Sequence, residues 1–518
     1  MIKTWGKINI QKKTALITTI VVGIIAHGMM LFNKLSIRDD LTYFFSGGLT
    51  FSLGRWGLYL IERIKNLIFQ DSIYSIPTIN GFFLIFCLAI SICLLLDIYK
   101  IKTITLCVMI SCIMISIPVI ASMFGYLFIA QFFGISLLLS VLGPYLVLKS
   151  DKWYIILLSI ILMTFSTGIY QAYIPIIISI YLFWLIQRLS QAQTKEERIV
   201  IYKKFPSIVL SLAGFLAFYF AGTNLFLKIS GEKLSGYKGI GAVTNVSISD
   251  YFQRALLAYK EFFSPSRDSF YNIFPGSAGI LFRISIIVCI CLFAVYCWSI
   301  RKNRVSLALT VLLSLLIPLA SNFIFVMVDA TYCNSLMTYG YVMFFLFLSW
   351  IYEQTQPVIQ NFLFRIIKIC IYGLFSLMII IFVRYDNLCY MRLEITQSQT
   401  TRFYTTLITR IQSAENYNAS MKIAFIGNPR INDWDTTIPE ISELNYIRTT
   451  PYFGFRESLT YDSWRTFMEI WLNFKAWEEK PTRFMTLPEV KNMSCYPNDG
   501  SIKVVDGVLV VKFQEIED

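Results

Sequence analysis

Two adjacent carboxylates, Asp39 and Asp40, stand just after the first long apolar run, in Ser36-Ile37-Arg38-Asp39-Asp40. Neighbouring carboxylates repel and raise each other's proton affinity, so one is suited to take a proton from a hydroxyl while the other orients it. Either can equally cap a helix starting there, since the positive end of the backbone dipole favours an anion. An aromatic, Gly-rich stretch from Tyr43 to Leu60 follows and reads as helix-like; it carries Gly54-Arg55-Trp56. A guanidinium forks onto phosphate oxygens and an indole offers a face to a sugar ring, although the same pair can anchor a helix at a membrane interface. Further on, Thr167-Gly168-Ile169-Tyr170-Gln171 joins two apolar runs. There the Gln171 amide and Tyr170 hydroxyl can bind sugar hydroxyls, or tie helix to helix.

The elements that must position these groups are set by an apolar chain. Of 518 residues, 56% are apolar and only 15% charged, against about 25% charged in a water-soluble domain. A soluble domain, a disordered chain, a collagen and a coiled coil are all excluded. A spanning helix needs about 20 mostly apolar residues. Eleven runs qualify, at approximately 14–32, 78–98, 103–120, 124–148, 153–170, 171–187, 205–227, 278–300, 304–328, 336–353 and 363–385. The fold expected is therefore mainly α: a polytopic membrane domain over residues 1–385 with about eleven spans, then a small α+β domain over 386–518. The first run follows Lys3, Lys7, Lys12 and Lys13 like a signal peptide, but it is long and lacks a small-x-small cleavage site, so it is expected to be retained.

Charge divides with the domains. Residues 386–518 hold 14 of the 45 basic and 18 of the 32 acidic side chains, leaving the membrane part strongly basic. That excess belongs at membrane edges, so no nucleic-acid partner is expected. Sorting Lys and Arg between alternate loops favours a cytoplasmic N-terminus, which puts the two long polar segments, 33–77 and 228–277, and the C-terminal domain outside. Asp97, Asp151, Glu196, Glu197 and Glu353 then fall on the inner side as neutralising partners of basic residues. Almost no ionisable group lies deep in a run, whereas transporters tend to put charge at mid-membrane.

In the tail, Phe403, Leu407 and Ile411 predict a helix just beyond the membrane, and Met421 to Gly427 a strand. A helix capped by Asp462 or Ser463 carries the stripe Trp464, Phe467, Met468, Trp471 and Leu472 and is expected to run until Lys480-Pro481 stops it. Val504 to Leu509 reads as a hairpin turning at Asp506-Gly507. No spacing in this tail is catalytic, so it reads as a binding or scaffolding module. Most of the 11 cysteines lie in apolar runs as packing residues. Cys389 and Cys495 can pair without any spacing that demands it. The single histidine, His27, lies in the first apolar run, and no protein-built metal site is expected.

Ser36-Ile37-Arg38-Asp39-Asp40, Gly54-Arg55-Trp56, the Ser166-Thr167-Gly168-Ile169-Tyr170-Gln171 hairpin and the many-span layout resemble the serotype-conversion glucosyltransferases of bacteria and phages, within the GT-C superfamily of membrane glycosyltransferases. The resemblance covers roughly residues 10–385. It implies transfer of a glucosyl group from undecaprenyl phosphate-glucose to a surface polysaccharide such as O-antigen, on the outer face of the bacterial inner membrane, with an acidic residue of the first outer loop, here Asp39 or Asp40, as the base. The partners implied are the bilayer, a polyprenyl-phosphate sugar and a polysaccharide acceptor. The lipid-linked sugar is a substrate and no cofactor is needed.

On that reading Arg55, with Arg38, Arg254, Lys260 or Arg283, stabilises the leaving phosphate. Arg283 lies a few residues inside an apolar run, where a charge must meet an anion or snorkel. Tyr43, Trp56, Tyr170, Gln171 and Asp329 are the sugar or acceptor candidates. One departure is that Asp329-Ala330-Thr331-Tyr332-Cys333-Asn334 lacks the Arg that comparable enzymes carry near the outer end of a late span. Residues 33–77 contain no DxD motif, and metal independence is expected. The competing readings are a polysaccharide or lipid transporter and an O-antigen polymerase.

Overall fold

The computed structural model describes residues 9–33, 35–48, 51–235, 247–266, 271–359, 361–429 and 463–516. The chain is mainly helical, with a small sheet near the C-terminus. All eleven apolar runs fall on helical segments. Among the described residues, eight helices are long and apolar enough to cross a membrane: Ile10–Phe32, Pro77–Tyr99, Leu127–Lys149, Gln171–Gln191, Lys195–Ser230, Ala278–Ser299, Arg304–Ser321 and Phe362–Gln412. A ninth is formed if Ile104–Ser116 and Pro118–Phe124 count as one span bent by 45°; Pro118 has no N–H to continue the first helix. Trp153–Ile169 is shorter, at 17 residues, and Val342–Thr355 shorter still, at 14.

Large apolar side chains such as Phe218, Phe220, Ile287, Ile290 and Ile380 remain exposed on these helices, a surface that suits lipid and not water. Inside, hydroxyls bond to their own helix: Ser91 to the Cys87 carbonyl, Ser111 to Cys107, Ser116 to Cys112 and Thr223 to Tyr219. Each polar atom is thereby satisfied without a partner from solvent.

Charges collect at helix ends. Lys12 and Lys149 both pair with Asp97, at 3.3 and 3.1 Å, and Lys204 with Asp151 at 2.5 Å. Glu353 accepts the backbone N–H groups of Lys102 and Thr103, and Glu197 completes the capping box of Thr194 at the head of Lys195–Ser230.

By its internal contacts the chain divides into two compact units, Met1–Asn33 with Phe45–Asn387, and Lys34–Phe44 with Leu388–Asp518. The second is built on a sheet of order β1-β3-β2: β1 (Ile423–Ile426) runs parallel to β3 (Val508–Lys512), and β2 (Ile502–Val505) antiparallel to it. Strand alternation sends Ile423, Phe425, Leu509 and Val511 to one face, where Tyr404, Leu407, Ile411, Trp464, Phe467 and Met468 cover them. Ala424, Ile426, Val505 and Val510 go to the other, against Phe484, Val490 and Met493.

Several expectations shift in detail. Phe403, Leu407 and Ile411 do not start a new helix; they lie on Asn361–Gln412, a 52-residue helix continuous with the last span. The Trp464 helix spans Ser463–Leu472 and ends well before Pro481, with Asn473 left-handed at φ 51°. Its alternative cap Asp462 is outside the described residues. The stretch from Tyr43 to Leu60 is not one helix either: a helix of five residues, Arg38–Thr42, ends at Tyr43, a 3₁₀ turn follows at Phe51–Leu53, and a second helix runs Trp56–Phe69. Gly48 and Gly54, both at positive φ, supply the breaks. Cys389 and Cys495 are not joined in a disulfide.

The hairpin at Asp506-Gly507 turns as expected, with φ of 49° and 74°. Nothing lies within 4 Å of where a Gly507 Cβ would be, so Gly507→Ala tests backbone conformation alone. It is expected to destabilise the sheet by about 1 kcal/mol, read as about fivefold faster limited proteolysis within 388–516.

Candidate functional site

Gly54, at φ 67°, turns the chain so that Arg55 occupies the N-cap and Trp56 the first position of the Trp56–Phe69 helix. This places Gly54-Arg55-Trp56 against Gly168-Ile169-Tyr170-Gln171, more than a hundred residues away. The Gln171 amide donates to the Leu53 carbonyl at 2.8 Å and to the Tyr219 hydroxyl at 3.0 Å. The Arg55 guanidinium sits 5.3 Å over the Tyr170 ring, a cation–π contact. Tyr170 is buried and its hydroxyl donates to the Leu336 carbonyl at 3.2 Å.

Trp56, 7% exposed, is wedged between two glycines. A Cβ on Gly168 would lie 2.8 Å, and one on Gly222 2.9 Å, from its indole. Gly57 is packed as tightly, against backbone: its Cβ would meet the Gly168 carbonyl carbon at 2.8 Å and the Ile169 nitrogen at 2.9 Å. The indole stacks on Phe226 at 5.6 Å, and Phe226 on Phe51 at 5.4 Å.

Two donors in this cluster are buried with no hydrogen-bond partner among the described residues: Nε of Arg55 and Nε1 of Trp56. No carboxylate among the described residues pairs with the guanidinium. The half-buried Arg55 cation and the buried Trp56 N–H, beside the Tyr219 hydroxyl and the Gln171 amide, form a donor set matched to an anion, while Gly168, Gly222 and Phe226 occupy the indole faces.

Asp39 and Asp40 belong to the Arg38–Thr42 helix of the second unit. Its N-cap is Ile37, which brings no side-chain cap, and both acids lie in the first turn, so neither serves as the cap. Asp40 is fully buried, while Arg38 and Asp39 are half-buried. Tyr43, also half-buried, forms the C-cap.

The remaining basic candidates stand apart from Arg55: among the described residues no hydrogen bond or ring contact joins Arg254, Lys260 or Arg283 to that cluster. Arg254 and Lys260 lie on Ile248–Phe263, a helix tied down by bonds from Asn322 to the Ala258 carbonyl and from Tyr341 to the Glu261 carbonyl. Arg283 bonds back to the Gly279 carbonyl of its own helix at 3.2 Å. Asp329 accepts the hydroxyl of Thr331 at 2.7 Å and its N–H at 2.9 Å. These bonds, hydroxyl first, hold its carboxyl below the usual carboxylate range, with a smaller contribution from the nearby Arg254 charge.

The model of the glucosyl transferase GtrII family matches residues 28–348. The chain belongs to that family. It is thus a glucosyltransferase by descent, and GtrII membership covers every candidate from Arg38 to Asp329. No curated protein and no solved structure matches the chain.

Three members of the GtrII cluster are missing from the sequence reading: Tyr219, Gly222 and Phe226. They share one face of Lys195–Ser230 by their spacing of three and four, a signal present in the sequence but indistinguishable there from ordinary packing. Asp386 is a further omission. It is buried, and neither of its carboxylate oxygens has a hydrogen-bond partner among the described residues. The drop in hydropathy puts it at the start of the tail, yet it lies inside a continuous helix.

Because the atoms facing Gly57 are backbone, they cannot yield by rotamer change. Gly57→Ala is expected to destabilise the protein by roughly 1–3 kcal/mol, seen as a lower unfolding midpoint of the detergent-solubilised protein.

Proposed function

We propose that the chain transfers a glucosyl group from a polyprenyl-phosphate donor to a hydroxyl of a cell-surface polysaccharide such as O-antigen, at the outer face of the bacterial inner membrane. The observation that carries this reading is the cluster of Arg55, Trp56, Tyr170, Gln171 and Tyr219, with its two unpaired buried donors, inside a region matched by a glucosyl transferase family. A lipid-linked sugar presents a phosphate at the membrane interface with a pyranose ring attached. The guanidinium suits the phosphate, and the buried indole N–H adds a second donor beside it.

In the reaction proposed, a carboxylate of the Asp39/Asp40 pair removes the proton of the acceptor hydroxyl. The acceptor oxygen attacks the anomeric carbon from the side opposite the phosphate, the bond from that carbon to the phosphate oxygen breaks, and polyprenyl phosphate leaves. Configuration inverts in a single displacement with no covalent enzyme intermediate. Arg55 neutralises the charge that grows on the departing phosphate. A monophosphate does not require a divalent ion, so transfer in washed membranes is expected to persist in EDTA; loss of activity restored by Mg²⁺ contradicts this.

The orientation follows the charge. Lys12 at the start of the first span shares its end of the helices with Asp97, Lys149, Lys152 and Lys204, and a basic end supports a cytoplasmic N-terminus. The scarcity of ionisable groups deep in the apolar runs favours an enzyme over a transporter, and a donor cluster built on Arg55 favours transfer from a lipid phosphate over polymerisation.

Replacing the base by its amide is expected to lower transfer by about 10²–10⁴-fold. Radiolabelled glucose incorporation by membranes carrying Asp39→Asn or Asp40→Asn is the measurement, with membrane insertion checked in parallel; full activity in both variants removes the proposed base. For Arg55→Ala, kcat/KM for the donor is expected to fall about 10–100-fold, the equivalent of one charged hydrogen bond, with the acceptor KM little changed. An unchanged donor dependence counts against phosphate binding there.

A further inference from the structure

The Arg38–Thr42 helix is five residues long. A helix of that length has no stability of its own, since isolated helices below about 12–15 residues are marginal in water. Something else must hold Asp39 and Asp40 in helical geometry. Leu41, 1% exposed, belongs to the apolar core of the second unit, together with Tyr404, Leu407, Trp464, Phe467 and Met468. The Ser36 N–H donates to the Gln397 side-chain carbonyl at 2.9 Å, tying the strand-like lead-in to the long helix. Leu35, Ser36, Ile37, Asp40 and Leu41 are all buried.

Helical spacing explains the pattern. Ile37, Asp40 and Leu41, at i, i+3 and i+4, share the buried face, whereas Arg38 and Asp39 lie on the half-buried side and Thr42 is exposed.

We propose that the C-terminal domain is the positioning scaffold of the acid helix: the core built by residues 388–516 holds Leu41, and through it fixes Asp39 as the carboxylate presented to the acceptor, with Asp40 as a buried positioning residue. The proposal rests on the carboxylate reading given above. It gives the tail a part in catalysis although none of its own residues touches substrate. Leu41 and Met468 are positioning residues in this sense.

The test uses full-length protein in native membranes, with polyprenyl-phosphate glucose as donor and purified polysaccharide as acceptor. Leu41→Ala is expected to lower kcat about tenfold or more while the donor KM stays within about twofold. Leu41→Met, which keeps the volume, is expected to restore most of the rate. Val490→Ala removes comparable bulk from the opposite face of the same sheet and is expected to leave kcat near wild type, provided limited proteolysis shows the domain folded. Unchanged kcat in Leu41→Ala, or an equal loss in Val490→Ala, overturns the scaffold role. If Leu41→Ala loses protease resistance, the milder Leu41→Val and Met468→Leu are read by the same criteria.

Asp39→Asn and Asp40→Asn separate this idea from the one beneath it. Full activity in both variants removes the base itself, whereas a loss in Asp39→Asn with a normal Leu41→Ala removes only the scaffold. A greater loss in Asp40→Asn than in Asp39→Asn reverses the assignment of roles and overturns the proposal.

Discussion

Desolvation governs this molecule. A polar group taken out of water must find a partner or remain a liability of about 1–3 kcal/mol, and in lipid there is no water to supply one. The helices obey this rule locally, with serines and threonines bonded to carbonyls one turn back and charges gathered at helix ends around Asp97 and Asp151. Nε of Arg55 and Nε1 of Trp56 are among the buried groups left without such a partner, and they lie side by side in one cluster. Donors shielded from water in this way interact more strongly with an anion than they would in bulk solvent.

Close packing produces that shielding. Three glycines, Gly57, Gly168 and Gly222, let the Trp56 helix approach its neighbours to distances that any side chain would prevent, and the indole fills the space with Phe226 stacked on it. The Gln171 amide then bridges Leu53 and Tyr219. In the other unit a different packing event does comparable work, since a single leucine sunk in an apolar core gives shape to a helix too short to form alone.

Much of the fold was legible in the sequence. The apolar runs, the Ile423–Ile426 strand, the Trp464 stripe and the Asp506-Gly507 turn are all signalled by local periodicity or turn chemistry, and all are present. Boundaries were less legible. Hydropathy falls near residue 385 while the helix continues to Gln412, because backbone hydrogen bonds do not depend on the polarity outside them. The candidate residues Arg55, Trp56, Tyr170 and Gln171 were readable by type, and the structure brings them together. Arg254, Lys260, Arg283 and Asp329 were readable by the same logic, yet no described hydrogen bond or ring contact joins them to Arg55: Arg283 bonds to its own helix, Asp329 to Thr331, and Arg254 lies near Asp329.

By itself the sequence determined where the helices lie, which residues carry charge at their ends, and which side chains are chemically suited to phosphate, sugar and proton transfer. Those properties follow from composition and short-range spacing. Only tertiary structure decided that Trp56 would lie between Gly168 and Gly222, that Tyr219 would join Gln171, and that Leu41 would enter a core assembled from residues more than 360 positions later. The reason is that such contacts depend on how whole elements pack, and the same apolar or small residue reads identically whether it faces lipid, a neighbouring helix or a site.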